Sequence, residues 1–342
     1  MTHWIIQILI ALLAFGLIIF LHELGHFIVA KSVGITVHEF ALGMGPKLFS
    51  FRRGETVYAL RLVPIGGFVM MEGEDEESSA AGSFGQKKVW QRILVVSAGA
   101  AMNILLGFFI LLGLSVSEDG LSSTTIARFS EGAVSSQMLM ENDRITHVNG
   151  TRVHIGSDLI FEMLRDSDGV IDFTVLRDGE RVQLKGVAFN SAKAEDGTNL
   201  ITLDFKVYAI TKTPGNVLKY AWYWTTGTVR EAWASLLDLI TGKYGLSQLS
   251  GPVGVTSAIG EAAGMGLSTV LSLLALITIN IGVFNLLPVP ALDGGRLVFL
   301  LIEALFRRRV PPKYEAYVHA AGLIALFGLM IVVTVGDIAR LF

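Results

Sequence analysis

The sequence of 342 residues contains no cysteine. Disulfide bonds and thiolate chemistry are therefore excluded, and any bound metal ion must be held by histidine and carboxylate side chains. Charged residues are also scarce, at 17%, and the net charge of −3 is accompanied by no long basic tract. A nucleic-acid partner is not expected, because such a partner calls for a concentrated positive surface.

Apolar residues, by contrast, are abundant. They make up 52% of the chain, and the mean hydropathy of +0.57 is too high for an ordinary soluble domain. A helix needs roughly 20 apolar residues to cross the hydrocarbon core of a bilayer. Uncharged stretches that approach or exceed this length cover residues 4–21, 93–117, 262–292 and 316–336. The sequence therefore predicts a polytopic α-helical membrane protein with four transmembrane helices.

The basic residues of the connecting loops orient these helices. Residues 31–92 contain eight Lys and Arg, and residues 293–315 contain five. Because such residues favour the cytoplasmic side, both loops are predicted to be cytoplasmic. Both termini and the long segment 118–261 are then extracytoplasmic.

The loops contain predicted structure of their own. In residues 31–92, two β-like runs flank a turn at 52–55 and a Pro-Ile-Gly-Gly break follows, which predicts a membrane-associated β-hairpin over about 47–63. The acidic stretch EGEDEESSAAG after it is predicted to be a mobile, solvated connector. Residues 118–208 contain five strand candidates and one helix, which predicts a small α/β domain. Residues 209–261 contain a tryptophan-rich amphipathic helix that is predicted to lie in the outer membrane interface.

The stretch FLHELGH places ionisable residues at the end of an apolar run. His22 and His26 are four residues apart, so on a helix they lie within about 40° of each other and can bind one ion. Glu23 is placed to act on a water molecule at that ion. A single histidine in an apolar helix is more often a packing residue. Two histidines and a glutamate near lipid, however, cost several kcal/mol unless something compensates them.

A catalytic zinc ion normally has three protein ligands and one open position. The first and third predicted spans run in the same direction, and the third ends at Asp293 in NLLPVPALDGG. Asp293 is therefore expected at the depth of His22 and His26, and Pro288 and Pro290 interrupt the helix just before it. The alternative interpretation of Asp293 is a helix-end carboxylate at the membrane interface.

These motifs together resemble a known family. HELGH, NLLPVPALDGG, PIGGFVMMEGED, SGPVG and one external PDZ-like domain are similar to the site-2 proteases, specifically the bacterial zinc metalloproteases of the RseP type. The resemblance implies a Zn²⁺ cofactor bound by His22, His26 and Asp293, with Glu23 as general base. It also implies that Asn285 contacts the substrate backbone. The second span reads GAAMN where the family commonly has Gly-Pro before the asparagine, and we interpret Asn103 as a helix-packing amide.

The resemblance further implies regulated intramembrane proteolysis in the bacterial cytoplasmic membrane. The expected substrates are single-span membrane proteins of the anti-sigma-factor or signal-peptide kind, shortened beforehand by another protease. We expect a monomer that lies in the lipid bilayer, with the 118–208 domain acting as an extracytoplasmic PDZ-like filter. The hairpin either pairs with an extended substrate or covers the loop. The boundaries expected are residues 1–117 for the first two helices, 118–208 for the PDZ-like domain, 209–261 for the interfacial segment and 262–342 for the last two helices.

Three other classes of protein remain to be weighed. A membrane scaffold with a structural metal would require four protein ligands, and only three convincing ones are present. A transporter would use the buried ionisable groups as an ion path, but the sequence has no internal repeat. A serine protease is disfavoured because the sequence has no Gly-x-Ser-x-Gly motif.

Overall fold

The apolar runs of the sequence form helices. The computed structural model describes residues 2–340 except 75, 77, 167–168, 194–198 and 243–248. Its helices are α1 (Thr2–Ser32), α2 (Val89–Ser117), α3 (Gly156–Leu164), α4 (Pro214–Ile240), α5 (Pro252–Met265), α6 (Leu267–Asn285), α7 (Asp293–Phe306) and α8 (Pro312–Ala339). Within the described residues, four helices are long and apolar enough to cross a membrane, as predicted: α1, α2, α6 and α8.

The third predicted span has different limits from those expected. Residues 262–292 do not form one helix, because α5 ends at Met265 and Gly266 adopts a positive φ of 122° before α6 begins. The apolar helix is Leu267–Asn285, with 19 residues. The predicted limits of this span were drawn where charged residues occur. An uncharged glycine such as Gly266 therefore did not mark a helix end. Residues 286–292 are not helical, in keeping with the two prolines among them.

The predicted hairpin is longer than expected. Strands β1 (Val37–Arg53) and β2 (Thr56–Met71) are antiparallel, and each is bent. Residues 37–42 of β1 pair on one side with 57–60 and on the other with 67–71, so the two bent strands form a curled sheet whose outer edge is 67–71. The expected limits of 47–63 were therefore wrong.

The bends in this sheet occur at glycines. Gly43 and Gly66 have φ values of 84° and 80°, which residues other than glycine rarely adopt. The Pro-Ile-Gly-Gly segment, predicted as a break, lies inside β2 for the same reason: a bent strand resumes pairing after the glycine.

The acidic stretch after β2 is not a solvated connector throughout. The carboxylate of Glu72 lies 2.6 Å from Nε2 of His38. Glu74 pairs with Arg296 of α7, and its side chain is only 14% exposed. Asp75 and Glu77 lie outside the described residues. The prediction was wrong for Glu74 because its cationic partner is 222 positions away in the sequence.

The contacts divide the chain into two compact units. One combines Met1–Ile110 with Ala232–Phe342, and the other is Leu111–Glu231. The second contains β3 (Leu121–Phe129), β4 (Arg144–Val148), β5 (Thr151–Arg152), β6 (Val170–Arg177), β7 (Glu180–Ala188), β8 (Ser191–Lys193), β9 (Asn199–Ile201) and β10 (Phe205–Ile210). Its main sheet has the order β10-β3-β4-β6-β7, with β5 paired to β4.

The core of this second unit lies between the sheet and α3. Ile145, Leu159, Met163 and Phe173 belong to it and are almost fully buried. The five predicted strands lie within or overlap the observed ones, except that the last candidate, residues 200–207, is divided between β9 and β10.

Helix α4 carries an exposed apolar stripe. Leu218, Trp222, Trp233, Leu237 and Ile240 are all exposed, and at 100° per residue they fall on one face of the helix. α4 is not among the four helices that are apolar enough to span a membrane. It is therefore amphipathic.

Candidate metal centre

Three ionisable side chains from α1 and α7 meet at one point. His22 and His26 are one turn apart on α1, and Asp293 is the first residue of α7. The Nε2 atoms of the two histidines are 3.2 Å apart. Oδ2 of Asp293 lies 3.2 Å from Nε2 of His22 and 3.3 Å from Nε2 of His26. The structure thus brings together the three residues that the sequence predicted to meet.

The protonation of these groups favours a cation between them. Nδ1 of His26 donates to the carbonyl oxygen of Val95 over 2.8 Å, so Nε2 of a neutral His26 carries the lone pair. Oδ2 of Asp293 is buried and accepts no hydrogen bond among the described residues. Two acceptor atoms at van der Waals distance repel each other unless a cation lies between them.

The spacing of the three atoms fits zinc. Zinc forms bonds of about 2.0–2.1 Å to histidine nitrogen and carboxylate oxygen, and tetrahedral angles then separate the ligand atoms by about 3.3 Å. The observed separations of 3.2, 3.2 and 3.3 Å match this geometry. Three protein ligands leave the fourth position open, which is typical of catalytic rather than structural zinc sites.

Glycines provide the space for this centre. A Cβ atom on Gly25 would lie 2.4 Å from the carbonyl oxygen of Ala98, so α1 and α2 approach with their backbones in contact. A Cβ atom on Gly99 would lie 2.3 Å from Nε2 of His26 and 2.8 Å from Nε2 of His22. Small residues at helix contacts are common in membrane proteins, and here they open the volume around the ligand atoms.

The loop before Asp293 is held in place by α8. Ala291 has a left-handed backbone with φ of 74°, and its N–H donates to Nδ1 of His319 over 2.9 Å. A Cβ atom on Gly322 would lie 2.3 Å from Cβ of Pro290, so this loop packs directly on the α8 backbone. His319 therefore fixes the backbone two residues before Asp293.

A cavity of about 430 Å³ lies beside the three ligand atoms, and Glu23 lines it with them. Residues 67–71 of β2 form one wall. Because consecutive strand residues point to opposite faces, five consecutive lining residues mean that the backbone edge itself faces the cavity. In the part of the chain that the structure describes, residues 67–71 pair with residues 37–42 on the side away from the cavity, and their other side is unpaired.

Comparison with known proteins agrees with this geometry. The sequence model of peptidase family M50 matches residues 10–329. The chain belongs to peptidase family M50. It is 38% identical to a putative zinc metalloprotease of Clostridium perfringens, over 97% of this chain and 98% of the relative. It is 32% identical to the regulator of sigma-W protease RasP of Bacillus subtilis, over 97% of this chain and 98% of the relative.

Membership in family M50 has direct consequences for the chemistry. The protein is a zinc metalloprotease, and with its four apolar helices it is an intramembrane member of that class. Zinc is its cofactor. Of the described residues, His22, His26 and Asp293 form the group whose ligand atoms converge closely enough to hold such an ion.

Asn103 of this M50 protease lies against the metal centre. Its Nδ2 atom lies 3.3 Å from Nδ1 of His22, and its Oδ1 atom is buried and has no hydrogen-bond partner among the described residues. When Nε2 of His22 binds a metal, Nδ1 carries the proton and needs an acceptor. A 180° rotation of the amide brings Oδ1 to that proton. The interpretation of Asn103 as only a packing amide therefore missed its contact with His22.

The spacing within GAAMN could have indicated that Gly99 and Asn103 both contact the histidine pair. Gly99 and Asn103 are four apart on α2, so they share one helix face, and both face the histidine pair.

The predicted substrate-contact residue Asn285 is the last residue of α6 and half-buried, and the residues that line the 430 Å³ cavity do not include it.

Proposed function

We propose that His22, His26 and Asp293 hold the zinc ion and that Glu23 is the general base in peptide-bond hydrolysis. The observation that carries this proposal is the 3.2–3.3 Å spacing of the three ligand atoms beside a cavity that Glu23 also lines. Since all four side chains belong to one chain, the proposed active form is a monomer.

The chemistry follows from these roles. Zinc supplies Lewis acidity, which polarises a peptide carbonyl group and lowers the pKa of water. Glu23 takes the proton from the attacking water and passes it to the leaving amine. The carbonyl oxygen of Val95 keeps His26 in its metal-binding tautomer.

The substrate strand is proposed to add to the edge formed by residues 67–71. A transmembrane helix hides its carbonyl groups in its own hydrogen bonds, so it must become extended before it can be hydrolysed. The free edge of β2 offers backbone donors and acceptors to such a strand, and it borders the same cavity as Glu23. This replaces 47–63 as the proposed pairing segment. Asn285, at the end of α6, is proposed to contact the substrate backbone as it enters.

The proposed substrates are single-span membrane proteins of the anti-sigma-factor or signal-peptide kind. The Bacillus subtilis relative is named as a regulator of sigma-W, which supports a role in regulated intramembrane proteolysis. We propose that a second protease shortens the substrate first and that residues 118–208 act as a PDZ-like size filter. The antiparallel sheet and single helix of that segment support the assignment.

The proposed orientation places both termini and residues 118–208 outside the cytoplasm of a bacterium, in a multi-pass protein of its cytoplasmic membrane. The basic residues of 31–92 and 293–315 support this orientation.

Glu23→Gln tests the proposed function. We expect the variant to lose cleavage of a single-span membrane substrate by at least about a hundredfold, since general-base catalysis contributes roughly 10²–10⁴. Zinc content should stay at one ion per chain. Glu76→Gln, at an exposed position in the loop after β2, is the matched control and should cleave normally. Cleavage by Glu23→Gln at the wild-type rate would instead favour the scaffold interpretation with a structural metal.

A further inference from the structure

A second cavity, of about 750 Å³, lies within the unit Leu111–Glu231. Strands β3 to β7 and the first turns of α4 line it, and none of the proposed zinc ligands belongs to this unit. Among the described residues that line it there is no Asp or Glu. Its basic lining residues are Arg144, His147, Arg152, His154, Arg181 and Lys219.

The register of the sheet concentrates this charge. Arg144 of β4 is opposite Leu176 of β6, and Leu176 is opposite Arg181 of β7. Residues directly opposite each other point to the same face, so both arginines project from one face of the sheet about 10 Å apart. Arg152 of β5 is opposite His147 of β4 and adds a third guanidinium group.

No carboxylate among the described residues of the unit neutralises these arginines. The ion pairs of its described residues involve other arginines, such as Arg177 with Asp143 at 2.7 Å and Arg230 with Asp158 at 3.7 Å. Within the described residues, Arg144, Arg152 and Arg181 have no carboxylate partner, and all are exposed. A concave surface lined by charge of one sign raises the local concentration of counter-ions, so the cavity attracts anions.

The field of these groups also acts on a neighbouring histidine. Burial lowers the pKa of His147, and the positive charges of Arg181 and Arg152 lower it further. His147 is therefore neutral at pH 7, and the attraction for an anion comes from the arginines and Lys219.

The wall that α4 contributes indicates the source of the anion. Lys219 and Tyr223 line the cavity. On the neighbouring face of the helix, Leu218 and Trp222 are 54% and 60% exposed. Exposed Trp beside Lys is typical of a helix at a lipid headgroup layer. The cavity is also large enough for a phosphate group together with the polar group attached to it.

We propose that this cavity binds the headgroup of an anionic phospholipid, with Arg144 and Arg181 holding its phosphate. Guanidinium groups bind phosphate oxygens through paired N–H donors, and the acyl chains then extend along the exposed Leu218 and Trp222. This site takes no part in peptide hydrolysis and holds the unit Leu111–Glu231 against a membrane surface.

The test is a titration of the full chain, in neutral detergent, with phosphatidylglycerol and with phosphatidylcholine. We expect preference for phosphatidylglycerol, and we expect Arg144→Gln/Arg181→Gln to weaken its binding roughly tenfold or more. The matched control is Arg128→Gln/Lys206→Gln, which removes the same charge from two exposed residues that face each other on β3 and β10, outside the cavity. The control should bind as the wild type does.

Each contrary result overturns the proposal. An equal loss in both double variants means general charge attraction rather than a site. Inorganic phosphate that displaces the lipid at equal concentration identifies a site for free phosphate. A soluble acidic peptide that binds more tightly than phosphatidylglycerol, and loses binding with the same substitutions, identifies a peptide site. Melting temperatures of both variants should equal that of the wild type.

Discussion

At the scale of single residues, Gly99 sets the space available at the metal centre. A methyl group there would lie within 2.8 Å of Nε2 on both His22 and His26. We expect Gly99→Ala to reduce zinc content to below a tenth of the wild-type value, measured by atomic absorption on the purified chain. Gly113→Ala on the same helix is the control, because a Cβ atom there would meet nothing within 4 Å. Full zinc content in Gly99→Ala would contradict the proposed position of the ion.

Asn103 gives a second prediction at this scale. Asn103→Ala removes the amide that, once rotated by 180°, accepts a hydrogen bond from Nδ1 of His22. The variant should raise the zinc dissociation constant by about 10–100-fold, as seen for other residues that orient metal ligands. Competition with a chromogenic chelator measures this constant. Asn103→Asp retains an acceptor oxygen and should restore most of the affinity.

A control for a merely structural effect comes from the same helix. Ser115 of α2 is buried, and its hydroxyl donates only to the Leu111 carbonyl within the helix. Ser115→Ala should leave the zinc constant unchanged. An equal loss of affinity in Ser115→Ala and Asn103→Ala would show that packing of α2, and not the contact to His22, is responsible.

The sequence revealed some of these residues and not others. The interval of four between His22 and His26, with Glu23 beside them, is visible in one helical turn. Asp293 could be reached only through the topology of the spans. Gly99 and His319 were missed because their roles depend on which helices touch, and apolar helices offer little in sequence to indicate their neighbours.

At the scale of elements, the contact between α3 and α4 predicts a response to pH. The pKa of Glu231 on α4 is raised to about 7 by burial and by the negative charge of Asp158; Arg230 opposes the rise and Glu162 adds to it. Between pH 4.5 and about 7, Glu231 therefore holds a proton in the folded chain, whereas it is ionised in the unfolded chain, where its pKa is 4.5. Stability falls as pH rises from 4.5 to about 7, and the whole loss is present above that range.

Glu231→Gln removes this titration. We expect the variant to be more stable than the wild type at pH 8 by up to about 3 kcal/mol. Below pH 4.5, where both side chains are neutral, the difference should vanish. Thermal melting of the full chain in detergent at the two pH values measures the effect. Glu131→Gln, at an exposed position in the same unit, should show no such difference. A shift of equal size at both pH values would exclude the titration of Glu231 as the cause.

Elements were predicted well where a single pattern decides them. Long apolar runs gave the four apolar helices, and alternation gave most strands of the sheet in Leu111–Glu231. The curled sheet of β1 and β2 was underestimated because its strands bend at Gly43 and Gly66, and a sequence pattern treats such glycines as strand ends. The start of α6 was missed for a related reason, since Gly266 lies within an apolar run.

At the scale of the whole molecule, the proposed zinc ligands lie on α1 and α7, segments far apart in the chain. An ion that binds only the folded state stabilises it by about 2.7 kcal/mol at a hundred times its dissociation constant. We therefore expect a chelator to lower the melting temperature of the wild type and of Glu23→Gln by several degrees. His26→Ala should melt lower and respond little to the chelator. An unchanged wild-type melting curve after complete zinc removal would mean that the ion contributes nothing to the fold.

The division of the chain into two units is less visible in the sequence than its helices are. The expected domain began at residue 118 and ended at 208, whereas the compact unit is Leu111–Glu231 and includes residues 214–231 of α4. An amphipathic helix shows its apolar face in the sequence but not the unit against which its other face packs.

The unpaired edge of β2 at residues 67–71 has a consequence for which proteins would be cleaved. A groove that binds main-chain atoms selects polypeptides by how easily they unwind, and it discriminates little between amino-acid side chains. Targets would then be sorted by weak points in their helices, such as glycine or proline near the cleaved bond. Unrelated proteins with a fragile membrane helix would be cut, and a sturdy helix of similar composition would survive.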